Sequence, residues 1–119
     1  MSEGAADVVA VVKDLFFVAR IRETARLAGV PLRVVRALEE LPPALAAAPR
    51  LVLVDLTGGF DHARIFDALD GAAARPRVVG FTTHALARDT QPWHARCDRV
   101  VTKETLTAEL PAMLQESAA

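Results

Sequence analysis

The chain has 119 residues, 52% of them hydrophobic and 24% charged, and a formal net charge of -1. That length allows one domain, 1–119, burying roughly two-thirds of its unfolded surface, and that composition excludes a largely disordered chain. Near-neutrality without a Lys/Arg stripe excludes a stand-alone nucleic-acid binder or a protein drawn to anionic membranes.

The amino end, "MSEGAAD", is acidic, and the apolar run behind it, "VVAVV" at 8–12, is too short to span a bilayer. A cytoplasmic location is expected. That run predicts a first strand, and "LFFVARIRETARLAG" after it has helical spacing. Gly29 and Pro31 close this helix and open a second strand, "PLRVV". In "LEELPPALAAA", Pro42 and Pro43 predict a short or late-starting second helix, ended by Pro49. "RLVLVD" is continuously apolar up to Asp55, which suits a strand buried on both faces, and "FDHARIFDALDGAAA" follows as a third helix. "PRVVGFT" predicts a fourth strand. In "ALARDTQPWHAR", Pro92 predicts a helix that stops near Thr90, followed by a turn carrying Trp93. "DRVVT" and "ETLTAELPAMLQE" complete the set. Five strands alternating with five helices predict a parallel α/β sheet covered by helices on both faces, a three-layer sandwich.

Ligands of such open sheets bind beyond the carboxyl ends of the strands. Those ends carry Lys13 and Asp14, Asp55, Thr82 and Thr83, and Thr102 and Lys103. Only two lysines stand against twelve arginines, and both fall at strand ends. A lysine is a compact point charge suited to one phosphoryl oxygen. Two carboxylates about 4 Å apart repel by roughly 4 kcal/mol at an effective dielectric of 20, so Asp14 and Asp55 together call for a cation or a proton. Mg2+ suits one or two carboxylates plus phosphate oxygens, aspartate can accept a phosphoryl group, and the Thr82 hydroxyl could hold another oxygen.

These residues resemble the receiver domains of two-component response regulators, over nearly the whole chain from "VVAVVKD" to "AELPAML". The resemblance implies a flavodoxin-like (CheY-like) fold with strand order 2-1-3-4-5. It makes Asp55 in "LVLVDL" the phosphoacceptor, Asp14 the second acid of the metal pair, and Thr82 the switch hydroxyl. Lys103 in "RVVTKET" matches the family lysine, and the Thr57 carbonyl joins Asp14 and Asp55 as a Mg2+ ligand.

It further implies a non-enzymatic, stand-alone signalling domain, a phosphoaspartate switch whose partner is a histidine kinase or other signalling protein, monomeric or weakly dimeric. Departures from the family are Lys13 in place of the first metal-pair acid, "TGGFDHA" after the phosphoacceptor, Glu104 where proline is usual, and Val100 at the aromatic switch position. They motivate an alternative: a phosphorylation-independent pseudo-receiver, an interaction module in which Lys13 pairs with Asp55.

Other chemistry is disfavoured. "KDLFFVAR" contains neither a dinucleotide-binding nor a Walker glycine pattern. His62, His84 and His94 lack metal-pair spacing and are expected at the surface or an interface. Cys97, the single cysteine, permits no intramolecular disulfide and is expected to be a small half-buried side chain. Trp93 is expected to cover a sheet edge, and of Phe16 and Phe17 at least one should face the core.

Overall fold

The structure, a computed structural model, describes residues 6–117. Five parallel strands, β1 (Val8–Val11), β2 (Leu32–Val35), β3 (Leu51–Asp55), β4 (Arg77–Thr82) and β5 (Arg99–Thr102), form one sheet of order β2-β1-β3-β4-β5. The helices are α1 (Leu15–Ala28), α2 (Leu41–Ala46), α3 (His62–Asp70), α4 (Gln91–His94) and α5 (Lys103–Ser117), with a 3-10 turn at Leu38–Glu40. The order and the alternation agree with the sequence reading.

Alternate residues of each strand feed opposite faces, because side chains on a strand point up and down in turn. On one face Val8, Ala10, Leu53 and Phe81 pack with Ile21 of α1 and Leu106, Leu110 and Leu114 of α5. On the other Val9, Val11, Val52 and Val54 meet Leu41 of α2 and Ile65, Phe66 and Leu69 of α3. Every residue of β3 is buried, as its unbroken apolar run requires of a central strand.

The helix ends follow from local chemistry. The Asp14 carboxylate accepts from the Phe16 and Phe17 amides at 2.9 and 3.3 Å and caps α1. Gly29, at φ 69°, ends it: its amide donates to the Arg26 carbonyl at 3.2 Å, and the Val30 amide reaches Ala25 at 3.0 Å. A left-handed residue closing both bonds favours glycine.

One helix differs from the sequence reading. Residues 84–90 are turns, and the helical piece is Gln91–His94, on the far side of the predicted break. Pro92 lies in the first turn of α4, where its missing N–H has no helical partner to lose, so it begins the helix instead of ending one. Trp93, expected at a sheet edge, stacks on Phe66 of α3 (centroids 5.9 Å, interplanar 15°) and covers that face of the core. Arg96 then clamps the segment to α3, donating to Asp70 at 2.7 Å and Asp67 at 3.3 Å over the Phe66 ring. Its hydrogen bond holds the Asp70 carboxyl below the usual carboxylate range. Among the described residues no helix is long and apolar enough to cross a membrane.

Candidate functional site

Sheet register places the predicted site residues at adjacent tips. Asp55 aligns with Phe81 of β4, one residue before Thr82, and Thr82 aligns with Thr102 of β5. Val54 aligns with Val11, so Asp55 ends its strand beside the loop that carries Lys13 and Asp14.

Asp55 is 2% exposed. Burial of a carboxylate is costly unless hydrogen bonds offset it. Two do: the Thr57 amide and hydroxyl donate to Asp55 Oδ1 at 2.8 and 2.6 Å, a side-chain turn typical of aspartate. Oδ2 accepts no hydrogen bond among the described residues. Above it lies Gly58, where a Cβ would stand 3.5 Å from Oδ2 and 3.1 Å from the Phe60 ring. Glycine there keeps the approach to Oδ2 open. The Asp55 carboxylate is thus fixed by one oxygen and offers the other.

The backbone of Asp55 is held as well. His62 Nε2 lies 2.9 Å from the Asp55 carbonyl, and since a carbonyl only accepts, Nε2 carries the proton. His62 is buried, 8% exposed, between Phe60 and Trp93, which corrects its expected surface position. The α3 face that receives Ile65, Phe66 and Leu69 also turns His62 inward, and the buried carbonyl supplies its polar partner.

Lys13 does not pair with Asp55. Its ammonium donates to the Gly59 carbonyl at 2.8 Å and lies 4.7 Å from the Phe60 ring centre. A carbonyl and a π-face reached on the outer side of the loop take the charge that the pseudo-receiver alternative gave to Asp55.

The remaining residues divide between two sides. Asp14 and Lys103 line one cleft of about 440 Å³ with Phe16, Phe17 and Arg20, and the Lys103 ammonium sits 5.5 Å from the Phe17 ring centre. Phe17 packs on Phe81 at 5.1 Å while Phe16 is 91% exposed, the division expected of the pair. Thr82 is buried and turned the other way, toward the turn before α4: Thr90 Oγ1 lies 3.0 Å from its hydroxyl and 2.8 Å from His94 Nε2. The strand tips converge, but neither Asp55 nor Thr82 lines the cleft shared by Asp14 and Lys103.

Among the described residues no three His, Cys, Asp or Glu side chains form a group that could hold a metal. A magnesium site here would consist of two carboxylates, Asp14 and Asp55, with the Thr57 carbonyl. Hard oxygens of that kind, few in number, fit an ion that keeps several of its waters. The free Oδ2 of Asp55 is the observation that fits best, although the Asp14 carboxylate is partly engaged in capping α1.

Comparison with solved structures decides the architecture. A receiver domain of a sensor histidine kinase from Pseudomonas aeruginosa, solved with a magnesium ion coordinated in its active-site cleft, superposes with a TM-score of 0.74. It shares 17% identity over 96% of this chain and 98% of that one. This chain has the receiver fold. A response-regulator receiver domain from Rhodospirillum rubrum matches at a TM-score of 0.67, with 20% identity over 94% of each chain. The N-terminal domain of a receiver protein from Methanoculleus marisnigri matches at 0.60, with 19% identity over 92% of this chain and 93% of that one. No family model and no curated protein matches the sequence.

Sequence reasoning missed three parts of the candidate site. His62, Phe60 and Thr90 have no catalytic motif around them, yet they orient the Asp55 backbone, the Lys13 ammonium and the Thr82 hydroxyl. The signal was spacing: each lies five to eight residues past a predicted strand end, where a short returning loop brings it back.

Proposed function

We propose that this protein is a receiver-type signalling domain in which Asp55 accepts a phosphoryl group from a histidine kinase. The supporting observation is the buried Asp55 carboxylate, with Oδ1 fixed by Thr57 and Oδ2 unbonded beneath Gly58. Oδ2 attacks the phosphorus of a phosphohistidine. An O–P bond forms, the P–N bond breaks, and the leaving imidazole nitrogen keeps the electron pair and takes up a proton. Bound magnesium would supply charge neutralisation for the phosphoryl oxygens, held by Asp14, Asp55 and the Thr57 carbonyl.

This chain's residues perform the rest. Thr57 holds the nucleophile in one orientation, so less orientational freedom is lost on reaching the transition state. Lys103 swings from the Phe17 ring to a phosphoryl oxygen, and the Thr82 hydroxyl exchanges Thr90 for another. That exchange loosens the segment ahead of α4, and a domain that changes its partners through such a loop is a switch without enzymatic turnover. The alternative, a phosphorylation-independent interaction module, drew on neutralisation of Asp55 by Lys13, and the Lys13–Gly59 bond takes that support away.

Trp93 is the single tryptophan and touches His62, which bonds the Asp55 carbonyl, so its fluorescence reports on the site. Beryllium fluoride should change that fluorescence saturably in the presence of magnesium and not in its absence. A wild-type protein with no magnesium-dependent response, or an Asp55→Ala variant with the wild-type response, rejects the proposal.

A further inference from the structure

A second cleft, of about 420 Å³, opens on the opposite side of the β1 tip from the one lined by Lys103. Three cations line it: Lys13 from the loop after β1, Arg36 from the loop after β2, and Arg64 from α3. Among the described residues none of the three forms an ion pair. Other arginines of the chain do: Arg26 with Glu23, Arg50 with Asp7, Arg75 with Asp70 and Asp98, Arg96 with Asp67 and Asp70, and Arg99 with Glu109. Arg20, Arg22, Arg33 and Arg88 are likewise without an ion pair among the described residues, but they do not share a cleft with Lys13, Arg36 and Arg64.

Two of the cations are also aimed. Lys13 is held by the Gly59 carbonyl at 2.8 Å, and Arg36 donates to the Lys13 carbonyl at 3.3 Å. Neutral carbonyls fix the position of these groups and leave their charge uncompensated. Lys13 retains two further N–H donors, and the Arg36 guanidinium keeps most of its five. The cleft has two carboxylates, Glu39 and Asp61, against three cations, and Asp61 is occupied in capping α3 through the Arg64 amide at 3.3 Å. Leu38, Pro42 and Phe60 supply an apolar wall.

We propose that this cleft binds a small organic phosphate, its anionic end on Lys13, Arg36 and Arg64 and its apolar body on the wall. Three like charges brought together repel, and a multivalent anion converts that repulsion into attraction. Arginine suits the planar or tetrahedral oxygens of such an anion through paired N–H donors. The volume fits a small molecule and exceeds what a bare phosphate fills. The binding does not depend on phosphorylation of Asp55. The Gly58–Phe60 loop is nevertheless common to both sites, because Phe60 walls the cleft while Gly58 overlies Asp55 Oδ2.

The test is calorimetric titration of the full chain with ADP in magnesium-free buffer, with inorganic pyrophosphate as competitor. Saturable ADP binding is expected, displaced by pyrophosphate, weakened by salt, and at least tenfold weaker in the Arg36→Gln/Arg64→Gln variant. Circular dichroism should show that variant folded with an unchanged melting midpoint, since both side chains are exposed. Asp55→Asn should bind ADP as the wild type does, which separates this cleft from the phosphoacceptor site. Absence of saturable binding, equal affinity in the double variant, or loss of binding in Asp55→Asn overturns the proposal.

Discussion

Thr90 Oγ1 lies 3.0 Å from Thr82 Oγ1, inside the protein, and the same hydroxyl is 2.8 Å from His94 Nε2. The Thr90 hydroxyl therefore bridges Thr82 and His94, and it also reaches the Ala87 carbonyl at 3.2 Å. Replacing Thr90 with Val keeps the shape and removes the bridge. Thr82, 3% exposed, is left with the Thr83 carbonyl at 3.5 Å as its partner. A stranded buried hydroxyl costs about 1–3 kcal/mol. Denaturant unfolding of Thr90→Val should show a loss in that range, and Thr90→Ser should lose much less. Equal stability of wild type and Thr90→Val would mean that the bridge contributes nothing.

Strand β4, which carries Thr82, is tightly packed at Gly80. A Cβ added at Gly80 would stand 2.7 Å from Cys97 Sγ and 2.9 Å from Leu56 Cδ1, both closer than real carbon contacts allow. Gly80→Ala should therefore destabilise the fold by about 1–3 kcal/mol, the usual cost of overpacking. Cys97→Ala introduced with it removes the nearest clash and should recover part of the loss, giving a coupling that a double-mutant cycle measures. Simple additivity of the two substitutions would contradict this packing account.

Cys97 also sets an alkaline dependence. Burial pushes its thiol up from 9.0 to about 11, partly opposed by a hydrogen bond from the Gly80 backbone. Below pH 9 the folded and unfolded states both hold the proton and the thiol adds no slope. Between about pH 9 and 11 the unfolded chain releases its proton while the folded chain keeps it, so stability falls as pH rises. Unfolding free energies measured from pH 8 to 11 should fall more steeply in the wild type than in Cys97→Ala. The same shift leaves little thiolate at neutral pH, and alkylation of the native protein should be much slower than that of the unfolded chain.

The layered fold was legible because its signals are periodic. A continuous apolar run such as "LVLVD" has few options other than a central strand, and Gly29 marks a helix end by a conformational preference that acts locally. Pro92 was misread because proline is disfavoured inside a helix yet welcome in its first turn, and the difference lies in which side of it the helix grows. The candidate residues were legible as strand-tip positions and less so in the directions of their side chains. Register carries Asp55, Thr82 and Lys103 to neighbouring tips, but the direction of a long side chain is decided by acceptors from loops distant in sequence. Lys13 turns to Gly59, 46 residues away, and no local pattern encodes that.

Lys13 is the residue at which the two proposed sites compete. Its ammonium belongs to the anion cleft, while its backbone adjoins Asp14, the outer acid of the proposed metal pair. Lys13→Asp removes a cation from the cleft and adds a carboxylate beside Asp14, and three neighbouring carboxylates repel until a divalent ion joins them. Magnesium affinity, followed by Trp93 fluorescence, should rise at least tenfold, equivalent to about 1.4 kcal/mol or more. ADP affinity should fall in the same variant, because one of the three unpaired cations is gone. A substitution that moves magnesium and organic phosphate in opposite directions acts on two separate sites. Equal magnesium affinity in Lys13→Asp and wild type would count against the Asp14–Asp55 metal site, whereas unchanged ADP affinity would count against the cleft alone.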